Sequence, residues 1–200
     1  MKRQKSSHDP VFHDLSFADR YARKHMKMAE NFGKEYSAKL EKKGFKNGRI
    51  LDTGCGFGGT LIYLARNIPE AEFYGIDLSD PLLDIAILRV RKAGLSDRVD
   101  FQKEDVHRIP FDDNYFNVVL NINMVHLVDD PVTMLNEMER VLVPDGSLFI
   151  ADIRRSWIGY LDREFKSALT LSEAKKIIGT SNLRKGSASS SLLWWRYENG

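Results

Sequence analysis

The stretch Ile50-Leu-Asp-Thr-Gly-Cys-Gly-Phe-Gly-Gly59 decides the fold of this chain. Two apolar residues lead into an acid, Asp52, and four of the next seven residues are glycines. Glycine accepts positive φ and, because it has no Cβ, lets a ligand come close to the backbone. The pattern predicts a short buried strand, a tight turn and a helix that begins near Gly59. The N–H groups at the start of that helix would form a weakly positive rim.

The glycine pattern alone leaves two kinds of ligand open. Gly54-x-Gly56-x-x-Gly59 also fits dinucleotide-binding proteins, whose glycines support a pyrophosphate. Asp52 favours a ligand with an ammonium group over a dinucleotide, because a carboxylate at the strand end would hold the ammonium group and repel a pyrophosphate. A nicotinamide-dependent dehydrogenase would also usually carry a catalytic group such as a Tyr-x-x-x-Lys pair, and the sequence contains none.

Two more predicted strands end in acids. The segment Glu72–Asp77 ends in Asp77, which suits a ribose diol. The segment Val99–Asp105 is followed by Val106, and a carboxylate beside an apolar side chain suits the edge and the face of an adenine. Ligands of parallel sheets bind outside the carboxyl ends of the strands. In chain order, the three strand ends therefore offer sites for an amino acid, a ribose and an adenine, which is the outline of S-adenosylmethionine (SAM).

With these motifs the chain resembles the class I SAM-dependent methyltransferases of the small-molecule type. Residues 50–59 resemble the first motif of that family, 74–79 the ribose motif and 104–106 the adenine motif. Residues 116–130 resemble the fourth-strand segment, and 142–150 the turn into the fifth strand. The resemblance covers residues 45 to 153 and implies SAM as the cofactor. It also implies an α/β, Rossmann-like fold: a seven-stranded, mainly parallel sheet with helices on both faces and an antiparallel C-terminal hairpin.

The predicted cofactor site combines the strand ends with positions that the resemblance adds. In the family, the Asn121 position borders the methionine part of SAM, and the first helix, which carries Tyr21, closes over the cofactor; core packing of Tyr21 stays open. The complete set is Asp52, Gly54, Cys55, Gly56, Asp77, Leu78, Asp105, Val106, Asn121 and Tyr21. No zinc-ligand spacing occurs, so no metal is expected.

No catalytic residue is assigned from the sequence. Methyl transfer is an in-line displacement that depends on holding the acceptor in place, and a general base is needed only for a protonated, weakly nucleophilic acceptor. His126, with Asp129 close to it in sequence, is a candidate base, and a structural role for this histidine stays open. A protein of the same fold that binds SAM without transferring methyl is the main alternative to an enzyme.

The sequence of the N-terminal part predicts two helical stretches. Ser16 and Asp19 resemble a capping arrangement, and apolar residues at helical spacing predict a helix to about Phe32. Gly33 is expected to interrupt it before a second helical stretch to about Lys43. Residues 1–44 are thus predicted to be a helical cap and residues 45–200 a SAM-binding domain, within one compact unit.

Composition indicates a single hydrophobic core and the cellular location of the protein. Its 200 residues are 42% hydrophobic, which suffices for one core. No apolar run reaches the roughly 18 residues of a membrane span, and polar residues follow the basic start where a signal peptide would be apolar. The single cysteine, Cys55, excludes an internal disulfide. A cytoplasmic location is therefore expected.

The expected partner is a small-molecule methyl acceptor. Residues 1–50 carry 13 Lys and Arg against 6 Asp and Glu, but the acids interleave with the bases as on a solvated helix, so nucleic acid is not expected. There is no Asn/Asp-Pro-Pro-Tyr/Phe run of the kind used by adenine or glutamine methyltransferases. The short segment 154–170 holds Trp157, Tyr160 and Phe165, which are expected in a small substrate cap, in the core or at a homodimer contact.

Overall fold

The structure is a computed structural model that describes residues 11–156 and 164–199. Its seven strands lie in the order β3-β2-β1-β4-β5-β7-β6. The β1–β2, β2–β3 and β4–β5 pairs are parallel, while β7 is antiparallel to β5 and to β6. The predicted mainly parallel sheet with an antiparallel C-terminal hairpin is confirmed. The elements are α1 (Leu15–Lys42), β1 (Asn47–Thr53), α2 (Gly59–Asn67), β2 (Glu70–Asp77), α3 (Asp80–Ala93), β3 (Val99–Lys103), β4 (Phe116–Ile122), α4 (Pro131–Val141), β5 (Leu142–Ile153), α5 (Glu164–Ser167), α6 (Leu171–Thr180), β6 (Gly186–Ser190) and β7 (Trp194–Asn199).

The chain divides into two compact units with a boundary after Val106. The unit Val11–Val106 holds α1 to α3 and β1 to β3, and the unit from His107 onward holds the remaining elements. Helix α1 packs on α2 and α3 inside the first unit. The division at residue 44 into a helical cap and a cofactor domain stays a prediction.

Helix α1 differs from its prediction in two ways. It is one continuous helix, and the interruption predicted at Gly33 is wrong. A Cβ at Gly33 would lie 2.6 Å from the Cβ of Tyr63, so this glycine serves the close approach of α1 to α2. The predicted cap at Ser16 is also wrong. Asp14 is the N-cap, and its Oδ1 accepts hydrogen bonds from Phe17 N at 2.7 Å and from Ser16 Oγ at 2.6 Å.

The first unit is organised around β1 and β2. Ile50 pairs with Phe73 and Asp52 with Gly75, so the ends of these two strands lie side by side. Their apolar residues are buried, as the sequence predicts. Helix α3 follows β2 directly: Ser79 caps its start, and Gly94 ends it with a φ of 67°. Pro81 in its first turn and Gly94 after its last residue are typical of the start and the end of a helix.

The second unit packs α4 and α6 with β4, β5, β6 and β7. Trp195 of β7 is the largest fully buried side chain, and it pairs with Asp152 of β5. Helix α6 begins with a capping box between Thr170 and Glu173. Strand β5 begins at Leu142 rather than at the predicted Ser147, because the predicted turn forms an irregularity in its pairing with β4.

Some predictions cannot be compared with these elements. The positions of Trp157 and Tyr160, and hence the predicted substrate cap, lie outside the described residues. Within residues 11–156 and 164–199, no helix is long and apolar enough to cross a membrane. In the same ranges, no group of three or more His, Cys, Asp or Glu side chains is arranged to hold a metal ion.

Candidate functional site

The glycine turn after β1 is held against the end of β2. Gly54 N and Cys55 N both donate to the carbonyl oxygen of Ile76, at 2.8 and 3.0 Å. Gly54, Gly56 and Gly58 have φ values of 78°, 51° and 70°, which L side chains rarely adopt. A Cβ on Gly56 would meet a single atom within 4 Å, a methyl group 3.8 Å away. The turn therefore presents open backbone on the side of Gly56.

Asp52 is a buried acid with an unsatisfied oxygen. The residue is 3% exposed, and its Oδ1 atom has no hydrogen-bond partner. Burial, and after it the negative charge of Asp77, raise the pKa of the Asp52 carboxyl to about 7. A buried polar atom without a partner is uncommon in native proteins and calls for an explanation such as a missing ligand. A cationic ligand group beside Asp52 would both satisfy the oxygen and favour its ionised form.

Asp77 connects the end of β2 to the glycine turn. Its Oδ2 accepts a hydrogen bond from Gly56 N at 2.8 Å, and its Oδ1 accepts one from Ser79 N at 2.9 Å. Burial raises the pKa of Asp77, while these backbone N–H groups act in the opposite direction. Each carboxylate oxygen can accept a second hydrogen bond. Asp77 can therefore hold the turn and still accept hydrogen bonds from a ligand.

The residues after β2 and β3 give the site a partly apolar rim. Leu78 is 42% exposed directly after Asp77, whereas Val106 is buried and Asp105 is exposed. Cys55 is buried, and burial raises its thiol pKa well above the usual value. A protonated, buried thiol is a poor nucleophile, so Cys55 serves this site by its small size.

The N-terminal segment and α1 pack beside the glycine turn. The Tyr21 ring lies 4.8 Å from the Phe12 ring and 6.2 Å from the Phe57 ring, measured between centroids. Ser79 Oγ donates to the Phe12 carbonyl oxygen at 3.0 Å, which fixes the start of the described chain to the end of β2. These contacts place Tyr21 beside the turn, and its predicted contact with the cofactor stays a prediction.

In the second unit, His126 forms a buried pair with Asp152. His126 Nδ1 lies 2.6 Å from Asp152 Oδ1, and His126 N donates to Asp152 Oδ2 at 2.9 Å. This carboxylate comes from the end of β5 and was not predicted, while a role for the neighbouring Asp129 stays a prediction. Asp152 lies at the end of β5, so the strand-end rule that points to Asp52 and Asp77 also points to Asp152.

Asn121 is directed into the packing of the second unit. It is fully buried, and its Nδ2 lies 3.7 Å from Met134 Sδ on helix α4. Its predicted position beside the methionine part of a cofactor therefore gains no support from its described contacts and stays a prediction.

Comparisons with known proteins agree with this architecture. Residues 51–150 match the family described as "Methyltransferase domain". A phthiotriol/phenolphthiotriol dimycocerosates methyltransferase of Mycobacterium leprae is 34% identical over 144 residues, covering 72% of this chain and 52% of the relative. A fatty-acid O-methyltransferase of Mycolicibacterium smegmatis is 37% identical over 106 residues, covering 53% of this chain and 37% of the relative. This chain thus spans about half or less of the length of these curated relatives.

A solved structure shows the same fold over nearly the whole chain. A SAM-dependent methyltransferase from Aquifex aeolicus superposes with a TM-score of 0.72 at 22% identity, covering 94% of this chain and 98% of that one. This likeness extends beyond the matched segment to α1 and to the C-terminal hairpin. The family match spans the glycine turn and the ends of β1 to β4, and Tyr21 of α1 is the one predicted cofactor-site residue outside it. The chain belongs to the methyltransferase domain family.

Proposed function

We propose that this protein transfers the methyl group of SAM to a small-molecule acceptor. The observation that carries the proposal is the unpartnered oxygen of buried Asp52 beneath a turn of positive-φ glycines. SAM carries an amino-acid end with an ammonium group, a ribose with two hydroxyls, and an adenine. When bound, its sulfonium group supplies an electrophilic methyl carbon.

The residues of the Val11–Val106 unit fit these three parts of SAM. Asp52 would hold the ammonium group, and the backbone at Gly56 leaves room for the chain of the amino acid. Asp77 would accept hydrogen bonds from the ribose hydroxyls with the lone pairs that Gly56 N and Ser79 N leave available. Exposed Leu78 would cover a face of the adenine, and Asp105 would accept from its amino group. In this assignment, the ends of β1, β2 and β3 each contact a different part of SAM.

The acceptor is proposed to be small and largely apolar. Relatives named for a fatty acid and for phthiotriols support such an acceptor. We do not propose nucleic acid as a partner, because the excess positive charge of residues 1–50 is interleaved with acids. A cytoplasmic location, supported by the free thiol of Cys55, and a homodimer are further proposals. Gel filtration with light scattering tests the dimer.

His126 is the proposed base for an acceptor that must lose a proton. Asp152, as a carboxylate, accepts a hydrogen bond from Nδ1–H of His126, which fixes the tautomer with an unprotonated Nε2. Nε2 is then the basic nitrogen, and Asp152 is a positioning residue that would also stabilise the imidazolium. Asp152→Asn should lower kcat and change its pH profile while SAM binding stays intact. Equal kcat values at every pH would contradict a base role for His126.

The function is tested in two steps. Calorimetric titration with SAM and with its demethylated product, S-adenosylhomocysteine, should show saturable binding, and NAD should not bind. Incubation of the protein and SAM with fractionated metabolite and lipid extracts should then yield a product heavier by one methylene group in mass spectrometry. Binding without any such product, across polar and apolar fractions, would favour a SAM-binding protein that does not transfer methyl.

A further inference from the structure

A cavity of about 230 Å³ is formed by α1, α2 and α3 within the Val11–Val106 unit. Its charged lining residues are three cations, Arg66, Arg89 and Lys92, and one acid, Glu30. Met26 and Ile62 contribute apolar surface. Neither Asp52 nor Asp77 lines it, so this cavity is separate from the strand ends assigned to SAM. Its volume is below the range of about 300–1,000 Å³ for drug-sized ligands and suits a smaller molecule.

Arg89 is the least exposed cation of this cavity, since Arg66 and Lys92 are both exposed. Its Nη1 atom is buried and has no hydrogen-bond partner. The guanidinium carbon lies 5.1 Å from the centroid of the Phe57 ring, which holds the side chain in place. Burial lowers the pKa of Arg89, and the charge of Asp19 acts in the opposite direction. Asp19 is already paired with Arg23 at 2.8 Å, so it does not supply Arg89 with a carboxylate of its own.

The other two cations stand at the ends of helices. Arg66 lies in the last turn of α2 and Lys92 in the last turn of α3, where a positive charge is favourable beside the helix dipole. That effect explains why each cation is tolerated where it stands. It does not explain why both line the same small cavity as Arg89. Within the described residues, neither Arg66 nor Lys92 forms an ion pair.

We propose that this cavity is a binding site for a phosphate monoester whose organic part is small and apolar. A dianion between three like charges would remove their mutual repulsion and offer acceptors to the guanidinium groups. Arginine forks match the geometry of phosphate oxygens, and Met26 and Ile62 would contact the organic part. The site does not rest on the proposed methyl transfer, because no residue assigned to SAM takes part in it.

The experiment uses the full chain, with inorganic phosphate and phenyl phosphate as probes in calorimetric titrations at low ionic strength. Both should bind at one site, and phenyl phosphate should bind more tightly because of the apolar lining. Arg89→Gln should weaken phosphate binding by about tenfold, as expected for the loss of a charge-assisted hydrogen bond. Glu30→Gln should act in the opposite direction and tighten binding about two- to threefold, because it removes the acid from the lining.

Two matched variants distinguish phosphate binding in this cavity from non-specific attraction to surface charge. Lys92→Gln should weaken phosphate binding at least about threefold, whereas Arg91→Gln, which removes the exposed neighbouring charge outside the cavity, should change it by less than about twofold. Thermal denaturation of each variant shows that it is folded, and Lys92→Gln carries the test if Arg89→Gln is not. No saturable phosphate binding, or equal effects of Lys92→Gln and Arg91→Gln, would overturn the proposal.

Discussion

The buried carboxyl of Asp52 makes SAM binding depend on pH in a way that can be measured. Its pKa of about 7 means that it is largely protonated in mildly acidic solution without ligand. A bound ammonium group favours the carboxylate, so binding must release the proton. Below about pH 6, affinity for S-adenosylhomocysteine should therefore fall close to tenfold for each pH unit, or about 1.4 kcal/mol. The ligand ammonium stays charged in this window, since amino groups of this kind titrate near pH ~8.

Titration calorimetry between about pH 5 and pH 7 tests this linkage. Near pH 6, the binding enthalpy should vary with the ionisation enthalpy of the buffer, with close to one proton released per ligand. Asp52→Asn should weaken binding and remove most of the pH slope, while the exposed control Asp84→Asn should keep the wild-type slope. Asp77 also has a raised pKa, and any slope left in Asp52→Asn is assigned to it. A flat wild-type affinity, or an unchanged slope in Asp52→Asn, would refute the assignment of Asp52 to the ammonium group.

The same carboxyl predicts a pH dependence of stability without any ligand. Its folded-state pKa is raised above the unfolded value, so its contribution is fully present below about pH 4 and is lost as pH rises through about 7. With about 1.4 kcal/mol per pKa unit, the loss amounts to ~4 kcal/mol at most. Asp52→Asn should therefore unfold at higher urea concentration than the wild type at neutral pH, and should lose this advantage near pH ~4. An Asn variant less stable than the wild type at neutral pH would contradict the raised pKa.

Substitutions at three further positions test contacts within the Val11–Val106 unit. Asp77→Ala removes the carboxylate that holds Gly56 N, so it should lower the melting temperature and should weaken binding of S-adenosylhomocysteine by at least about tenfold. Asp77→Asn should lower both less. An unchanged melting temperature in Asp77→Ala would contradict the role of Asp77 in the turn. Gly33→Ala should destabilise the protein by about 1–3 kcal/mol in urea denaturation through its contact with the Cβ of Tyr63, despite the better helix propensity of alanine, and an unchanged free energy of unfolding would contradict this close approach of α1 to α2. Arg98→Met should lower the free energy of unfolding by about 1.5–3 kcal/mol, because Arg98 donates to three backbone carbonyls at the end of α2 and the start of β2; a loss below about 0.5 kcal/mol would show that water replaces it.

The sheet and the ends of its first strands were predictable because each follows from local chemistry. An apolar run that ends in an acid and opens into glycines has few structural solutions, and Gly54, Gly56 and Gly58 adopt the positive φ that the pattern indicates. The glycine stop of α3 is an equally local signal, whereas the C-terminal hairpin is implied by the family resemblance. None of these predictions requires knowledge of which residues meet across the fold.

The missed features depend on contacts between residues far apart in sequence. Gly33 predicts a helix break by propensity, and the structure overrides this because α2 approaches α1 where any larger side chain would meet Tyr63. His126 has an acid three positions away, but its buried contact with Asp152, 26 residues further along the chain, was not predicted. The parallel pairing of β4 with β5 brings the end of β5, with Asp152, near the segment that follows β4, and proximity in sequence does not indicate this contact.

The end of β1 is one place where the folded Val11–Val106 unit carries an unfavourable interaction. Asp52 is buried with an unsatisfied oxygen, and three positive-φ residues follow it within a few positions. The opposite side of the same turn is closely packed, since a Cβ on Gly58 or on Gly75 would overlap the ring of Phe101. Packing therefore fixes one side of the turn, while the Oδ1 atom of Asp52 keeps no hydrogen-bond partner. A ligand that supplies a positive charge there would relieve an energetic defect of the folded chain, so ligand binding and the stability of this unit should rise together.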